Sequence, residues 1–266
     1  MTSAIPVTVP AAPGYPKTMS QRRLLGAYLT EARYETVRML RTPAFAIPFL
    51  GLPVMLYLLF GVVIFGAAIS KDPQAGPFIF TAFAVFGVMG PGIFAFGMAV
   101  ATEREQGLLE LKRALPMPPP AYLLAKMLMA MLFGVVVMVT MIAALPLSHL
   151  RLSVAQCLAV TTINVVGSLP FCAIGLLVGT LTTTRSAPAF VNVLYQMMMH
   201  LSGLFYPLPA LLRAIAPVWP SYHLQQLVFG VLGLPSQGPA WSHFAALGGL
   251  TVLLTMVSVR RLARVG

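Results

Sequence analysis

Five long segments without a charged residue divide this chain, and they constrain its fold more than any other feature. A helix needs about 20 apolar residues to cross the roughly 30 Å hydrocarbon core of a bilayer, and a charge at the bilayer centre costs about 2.5–3.5 kcal/mol. Each segment therefore predicts one membrane-spanning helix. The charge-free segments are 42–70, 73–102, 127–150, 152–184 and 186–212.

A sixth charge-free segment, 214–259, is too long for one span and is interrupted by prolines as far as Pro239. Only its end, from residue 240 to 259, is predicted to cross the membrane. Charged residues make up 9% of the chain, against roughly 25% in ordinary soluble domains, so the chain cannot cover a water-facing surface. We therefore expect an all-α polytopic membrane protein with six transmembrane helices.

An even number of spans places both termini on one side of the membrane. If that side is the cytoplasm, fourteen of the 17 Lys and Arg residues lie inside, as the positive-inside rule predicts. The three that remain outside are Lys71, Arg151 and Arg213. This topology accounts for the formal net charge of +11 without nucleic acid as a partner, because the charges are scattered between apolar segments.

Segments beside the spans complete the predicted organisation. Residues 1–19 contain four prolines and no signal peptide, which predicts a disordered cytoplasmic tail, and 261–266 form the cytoplasmic C-terminus. Residues 20–42 combine basic residues with apolar ones at helical spacing, which predicts an amphipathic helix in the interface, against membrane lipid. The transmembrane domain is 43–260. Within it, 206–238 is apolar but broken by prolines, which predicts short re-entrant helices in the outer leaflet.

The predicted cytoplasmic loop 102–121 contains three of the six acidic residues of the chain. Thr102 and Glu105 have the spacing of a capping box, Leu108 begins an apolar edge, and prolines from Pro116 onward end the segment. These features predict a short, charged, amphipathic helix held against the cytoplasmic face. A helix that merely connects two spans would show the same pattern, so the residues alone leave both interpretations open.

Two patterns make the chain resemble the ABC-2 family of ABC-transporter permeases, which includes drug-resistance, nodulation-factor and polysaccharide exporter subunits. The loop is similar to the family pattern Glu-Arg-Glu-x-Gly-Thr-Leu-Glu-x-Leu followed by Pro, with Leu108 in place of Thr. The second family pattern is Ser-Gly-x followed by two apolar residues and Pro, and then Asn-Pro-x-x-Tyr. In this chain it follows the fifth predicted span, and Trp219 stands in place of the Asn. The resemblance implies ATPase-coupling residues Glu103, Arg104, Glu105, Gly107, Leu108, Glu110 and Leu111, and an outer re-entrant motif of Ser202, Gly203, Pro207, Pro220 and Tyr222.

The resemblance also implies the partners. Two permease subunits, as a homodimer or a heterodimer with a close paralogue, would be powered by separate ABC ATP-binding subunits that bind ATP and Mg. The chain would have no cofactor of its own, and it has no P-loop, because none of its lysines follows a glycine. The complex would be an ATP-hydrolysing exporter in the bacterial inner membrane. Its substrate would be amphipathic or hydrophobic, such as a drug, a lipid or a lipid-linked glycan.

Two other classes of function stay open on the residues alone. An ATPase-independent carrier or channel fits the apolar composition, although no Asp or Glu lies inside a predicted span, where ion-coupled carriers usually keep one. A membrane-embedded enzyme would need a carboxylate pair or a histidine cluster in the spans, and the sequence places neither there.

Polar residues follow one face of two predicted spans. Asn164, Ser168 and Cys172 lie on one face of span four, and we interpret this face as a helix-packing surface. Span five has a polar stripe at intervals of four residues, which could line a substrate path or form a packing or dimer contact. His200 could also ligate haem, although a lone histidine is more often a satisfied polar group. The stripe consists of Asn192, Gln196 and His200.

Overall fold

The computed structural model describes residues 21–66, 71–108, 119–148 and 150–265. Every regular element within these ranges is a helix, which confirms the predicted fold class. The predicted tail and two of the predicted coupling residues, Glu110 and Leu111, lie outside the described residues.

Ten α-helices lie in the described part of the chain. They are α1 (Gln21–Leu40), α2 (Pro43–Leu58), α3 (Ala75–Glu105), α4 (Pro119–Ala143), α5 (Val154–Val166), α6 (Leu169–Leu181), α7 (Ala187–Leu201), α8 (Ala210–Arg213), α9 (Pro220–Leu232) and α10 (Ala240–Val265). A π-helical turn, Leu59–Ile64, continues α2, and 3-10 turns at Leu145–Leu147 and Ala216–Val218 follow α4 and α8.

Five helical segments of the described chain are long and apolar enough to cross a membrane. They coincide with predicted spans one to four and six. The predicted fifth span contains α7, whose 15 residues rise only about 22 Å. The predicted count of six spans is therefore not confirmed. The five segments are Pro43–Ile64, Ala75–Glu105, Tyr122–Leu147, Val154–Leu181 and Ala240–Leu262.

Two helix boundaries differ from the prediction because charged residues do not end these helices. Helix α3 continues through Glu103 to Glu105, and α4 begins before Lys126. The predicted capping box at Thr102 is wrong, since Thr102 and Glu105 form the last turn of α3 and do not open a new helix. The buried charges, Glu103 and Lys126, are tolerated there because they pair with each other inside the bundle.

Helix α3 is the centre of the bundle, and most of its residues are buried. Helix α6 approaches it closely through glycines. A Cβ atom at Gly175 would lie 2.6 Å from the carbonyl oxygen of Ile93, so a larger residue there would require a backbone shift. Asn164, Ser168 and Cys172 on the adjoining face are fully buried, which confirms the packing interpretation of the polar face of span four.

We expect Gly175→Ala to lower the free energy of unfolding by about 1–3 kcal/mol, because the added methyl group pushes α3 and α6 apart. Thermal unfolding of the purified chain in detergent measures this effect. Gly248→Ala in α10 is the matched control, since a Cβ atom there meets nothing within 4 Å and alanine favours a helix. Equal melting temperatures for the two variants would contradict the close α3–α6 contact.

Candidate functional site

One end of the bundle, which we call the charged end, is formed by α1, the last turn of α3, the first turns of α4 and the end of α6. It contains a buried cluster of ionisable side chains. Lys126 of α4 is fully buried, and its Nζ lies 3.0 Å from Oε1 of Glu35 on α1 and 3.2 Å from Oε1 of Glu103 on α3. Both carboxylates are buried as well. A single ammonium group thereby joins three helices.

Glu103 is the centre of this ion cluster. Its Oε1 also accepts a hydrogen bond from Arg38 at 3.2 Å, and its Oε2 accepts one from the Tyr122 hydroxyl at 2.5 Å. The side chain of Arg38 is 57% exposed, so solvent screens this pairing and it contributes little. The buried donors surround the Glu103 carboxylate, which therefore serves as an internal anchor and not as a surface contact.

Helix α1 packs against α4 through a narrow stripe. Ala32 and Glu35 are buried there, whereas Leu29 and Tyr34 are 63% and 70% exposed. Among the α1 side chains whose burial the structure describes, the fully enclosed ones are thus a small residue and a carboxylate, while Met39 is partly buried against a neighbouring apolar cluster. The pairing of Glu35 with Lys126 is the buried polar contact that fixes α1 on α4.

The two residues after Glu103 bind other elements. The guanidinium group of Arg104 donates hydrogen bonds to the carbonyls of Thr180 and Thr182 at the end of α6, the latter at 2.6 Å. A cation is favoured at this position because the helix dipole places partial negative charge at a C-terminus. Glu105 is exposed and lies beside the side chain and the backbone of Thr184, in the turn between α6 and α7.

We call Glu103, Arg104 and Glu105 the anchor triplet, because each residue fastens the end of α3 to a different part of the bundle. The residues that follow project outward. Gly107 ends the helix with a φ of +68°, a conformation that glycine adopts without strain, and Leu108 is 37% exposed. The described residues that the resemblance assigns to ATPase coupling therefore divide into the anchor triplet, of which Glu103 is buried and Glu105 is exposed, and an exposed tip of Gly107 and Leu108.

Sequence reasoning missed Lys126, Glu35 and Tyr122. A search for charge-free segments treats Lys126 only as a boundary, and helical spacing assigns Glu35 to the polar side of α1. Lys126 and Glu35 are 91 residues apart in sequence, so no local spacing could have predicted their contact.

A cavity of about 650 Å³ lies between α2, α3 and α7, within the size range of ligand pockets. Eight of the twenty residues that line it are phenylalanines. Asn192, Gln196 and His200 line it from α7, and all three are exposed on the surface of the single chain. The structure thus places the predicted polar stripe at the edge of an apolar cavity.

The opposite end of the bundle contains the segment 202–239, which is fastened to α7 by polar contacts. The hydroxyls of Ser202 and Ser221 both donate to the carbonyl of Met198, at 2.6 and 3.0 Å. Gly203 has a φ of +77°, and its carbonyl accepts a hydrogen bond from Gln225 at 3.3 Å. These contacts hold the start of α9 against the end of α7.

The remaining residues of the predicted outer motif lie in the same segment. Pro220 is the first residue of α9, a position where its missing N–H group is not needed. The Tyr222 hydroxyl donates to Oε1 of Gln237 at 3.4 Å, and Pro207 is exposed in the turn before α8. Short helices occupy the predicted region, while their position in the outer leaflet stays a prediction.

We expect Lys126→Met to lower the free energy of unfolding by about 3–5 kcal/mol, because two buried carboxylates lose their shared cation. Thermal unfolding and limited proteolysis of α1 measure the loss. Lys71→Met, at an exposed lysine, is the control and should change stability by at most about 0.5 kcal/mol. The triple variant Glu35→Gln, Glu103→Gln, Lys126→Met should recover most of the loss. A Lys126→Met protein as stable as the parent would contradict the anchoring role.

Comparison with known proteins identifies the family. Residues 27–233 match the family described as "ABC-2 type transporter". The chain is also 27% identical over 229 residues to "Putative transport permease YvfS" of Bacillus subtilis (strain 168), a match that covers 84% of this chain and 92% of that protein. The chain therefore belongs to the ABC-2 type transporter family and is a multi-pass membrane permease subunit of an ABC transporter.

Proposed function

We propose that this chain is the permease of an ATP-driven exporter that moves an amphipathic or hydrophobic substrate, and that a separate ATP-binding subunit binds ATP and Mg. The observation that supports this coupling is the anchor triplet with its exposed tip. A force applied to Leu108 acts on the end of α3, which the triplet fastens to α4 and α6 directly and to Glu35 of α1 through Lys126. The charged end would then move as one unit.

The same contacts lead from the charged end to the cavity. Glu105 lies beside Thr184, which precedes α7. Thr183 and Ser186 exchange hydrogen bonds at the start of that helix, since the backbone N–H of each donates to the side-chain oxygen of the other at 3.1 and 3.2 Å. A displacement of the anchor triplet would therefore reorient α7, whose polar stripe lines the cavity.

In this proposal the charged end faces the cytoplasm of a bacterial inner membrane, and both termini lie on that side. The distribution of Lys and Arg supports this orientation. The exposed Leu29 and Tyr34 of α1 would rest in the lipid interface. The cavity would receive the substrate, and its phenylalanine wall favours an apolar portion of a drug, a lipid or a lipid-linked glycan.

We also propose that a second permease copy faces the polar stripe. Asn192, Gln196 and His200 are exposed beside an apolar cavity, and polar side chains that face hydrocarbon without partners are costly. A second copy related by twofold symmetry would cover the stripe and close the cavity into a path. A close paralogue would cover it equally well.

Affinity purification of the chain from native membranes in mild detergent tests the coupling proposal. We expect an ATPase with Walker motifs to co-purify in stoichiometric amount with the parent chain and to be lost, by tenfold or more, with Leu108→Arg, because the charge disrupts an apolar contact. Leu211→Arg is the matched control, as it adds the same charge at an 83% exposed leucine of the opposite end. A chain that purifies alone at every detergent concentration would favour an ATPase-independent carrier or channel.

Cysteine cross-linking in membranes tests the arrangement of the two copies. We expect Gln196→Cys to form a disulfide-linked homodimer under mild oxidation, in a Cys157→Ser background, because Cys157 is the partly exposed native cysteine. Val252→Cys in α10, at a residue that is 59% exposed, is the control and should stay monomeric. Cross-linking of Gln196→Cys to a different chain would indicate a heterodimer, and equal behaviour of the two variants would contradict the proposed interface.

A further inference from the structure

Two histidines face each other at the end of the bundle opposite the charged end. His223 is on α9 and His243 is in the first turn of α10, and their Nδ1 atoms lie 2.9 Å apart. The ring centres are 5.2 Å apart. This distance equals the sum of the Nδ1···Nδ1 distance and the distance from each nitrogen to the centre of its own ring. Both Nδ1 atoms therefore lie on the line between the rings, and each points directly at the other.

The other nitrogen of each ring faces a backbone carbonyl. Nε2 of His223 lies 2.8 Å from the carbonyl oxygen of Pro217, and Nε2 of His243 lies 2.8 Å from that of Gln237. A carbonyl oxygen can only accept a hydrogen bond, so each Nε2 must carry a proton to bind it. Neutral imidazole has one N–H group, which leaves two Nδ1 lone pairs facing each other at hydrogen-bond distance.

We propose that His223 and His243 form a binding site for a single proton, which is held between the two Nδ1 atoms and fastens α9 to α10. With one added proton the pair has three N–H groups and makes all three hydrogen bonds. Without the added proton the pair has two N–H groups for three contacts. One contact then has a lone pair that faces either a carbonyl oxygen or the lone pair of the other ring. With two, N–H groups face each other and two positive charges repel. The observed geometry fits the singly protonated pair.

The surroundings limit the charge that the pair can hold. Burial lowers the pKa of His223 from its ordinary value, which opposes even a single proton, and the Pro217 carbonyl acts against that shift. A charge on His243 lowers the pKa further, so a second proton is resisted more strongly than the first. Among the described residues, Tyr222 is the titratable side chain in ring contact with both histidines. The charged group on neighbouring α8 is Arg213, which donates to the carbonyl of Leu208.

The collinear geometry also distinguishes a proton from a metal ion. A metal ion on the line between two nitrogens, as with trans ligands of copper or nickel, would hold them about 4 Å apart, since metal–nitrogen bonds are about 2.0 Å long. Tetrahedral zinc, or ligands at right angles, would instead need lone pairs that converge at a point off that line. Here the lone pairs are directed along that line, and a separation of 2.9 Å is an ordinary N–H···N distance.

The proton site lies where it can influence transport. Helix α9 is bound to the end of α7 through Ser221 and Gln225, and α7 lines the cavity. The proton on His223 and His243 adds a connection from α9 to α10. Under the topology of the proposed function this site faces the external medium, so the stability of the outer segment depends on external pH.

The test measures the melting temperature of the purified chain, in detergent with EDTA, from about pH 5 to about pH 8, the range in which histidine changes charge. We expect a maximum within this range and a fall on the order of 3 °C on each side, because one charged hydrogen bond is lost. His243→Asn should remove the maximum. His200→Asn is the matched control and should keep the maximum, because it removes a histidine whose Nδ1 lies 2.9 Å from the carbonyl of Gln196 in its own helix and leaves the pair intact.

Three results would overturn the proposal. The first is a profile in His243→Asn with the same maximum as the parent. The second is a parent stability that Zn²⁺ raises and EDTA lowers in the presence of both histidines, which would indicate a metal site. The third comes from nitrogen NMR of the histidine-labelled parent chain, which needs no variant. If all four histidines of the chain titrate as independent single rings, no proton is shared. None of these measurements requires the ATP-binding partner, so failure here is distinct from failure of the exporter proposal.

Discussion

Burying a charge in an apolar bundle costs several kcal/mol unless partners compensate for the lost water. Lys126 meets this requirement with two carboxylates, Glu35 and Glu103, which come from two other helices, α1 and α3. Because every member of the cluster depends on the others, α1, α3 and α4 have one arrangement in which their charges are satisfied. The rest of the charged end follows from that arrangement.

The central position of α3 transmits this constraint along the bundle. At one end its anchor triplet binds α1, α4, the end of α6 and the turn before α7. Further along, its glycines allow α6 to approach within backbone contact, and its phenylalanines form a wall of the cavity. One helix thereby connects the surface on which an ATPase would act to the space in which a substrate would bind.

The two ends of the bundle are held by different chemistry. The charged end is held by ionised groups, of which Glu35, Glu103 and Lys126 are buried in protein. The opposite end uses hydroxyls, amides and an imidazole pair. The hydroxyl and amide contacts are neutral, and neutral hydrogen bonds are individually weaker than those made by charged groups. The imidazole pair differs from them through the proton that we propose it shares.

The sequence by itself determined the fold class, because a chain with 9% charged residues and long charge-free segments can satisfy its backbone only as helices in a membrane. It also located four of the five long spans by their charged boundaries. The last one, Ala240–Leu262, was located by the apolar stretch that follows Pro239. The polar stripe of α7 was visible from its spacing of four residues. These features are local, so composition and periodicity were sufficient to predict them.

Tertiary structure alone decided which charges are buried and what they bind. Lys126 and Glu35 are 91 residues apart, and His223 and His243 are 20 residues apart on two different helices. A charge in a sequence looks the same whether it ends a span at the surface or pairs inside the bundle. Only the packing of α1 and α4 against the end of α3 removes water from these groups and makes their pairing obligatory.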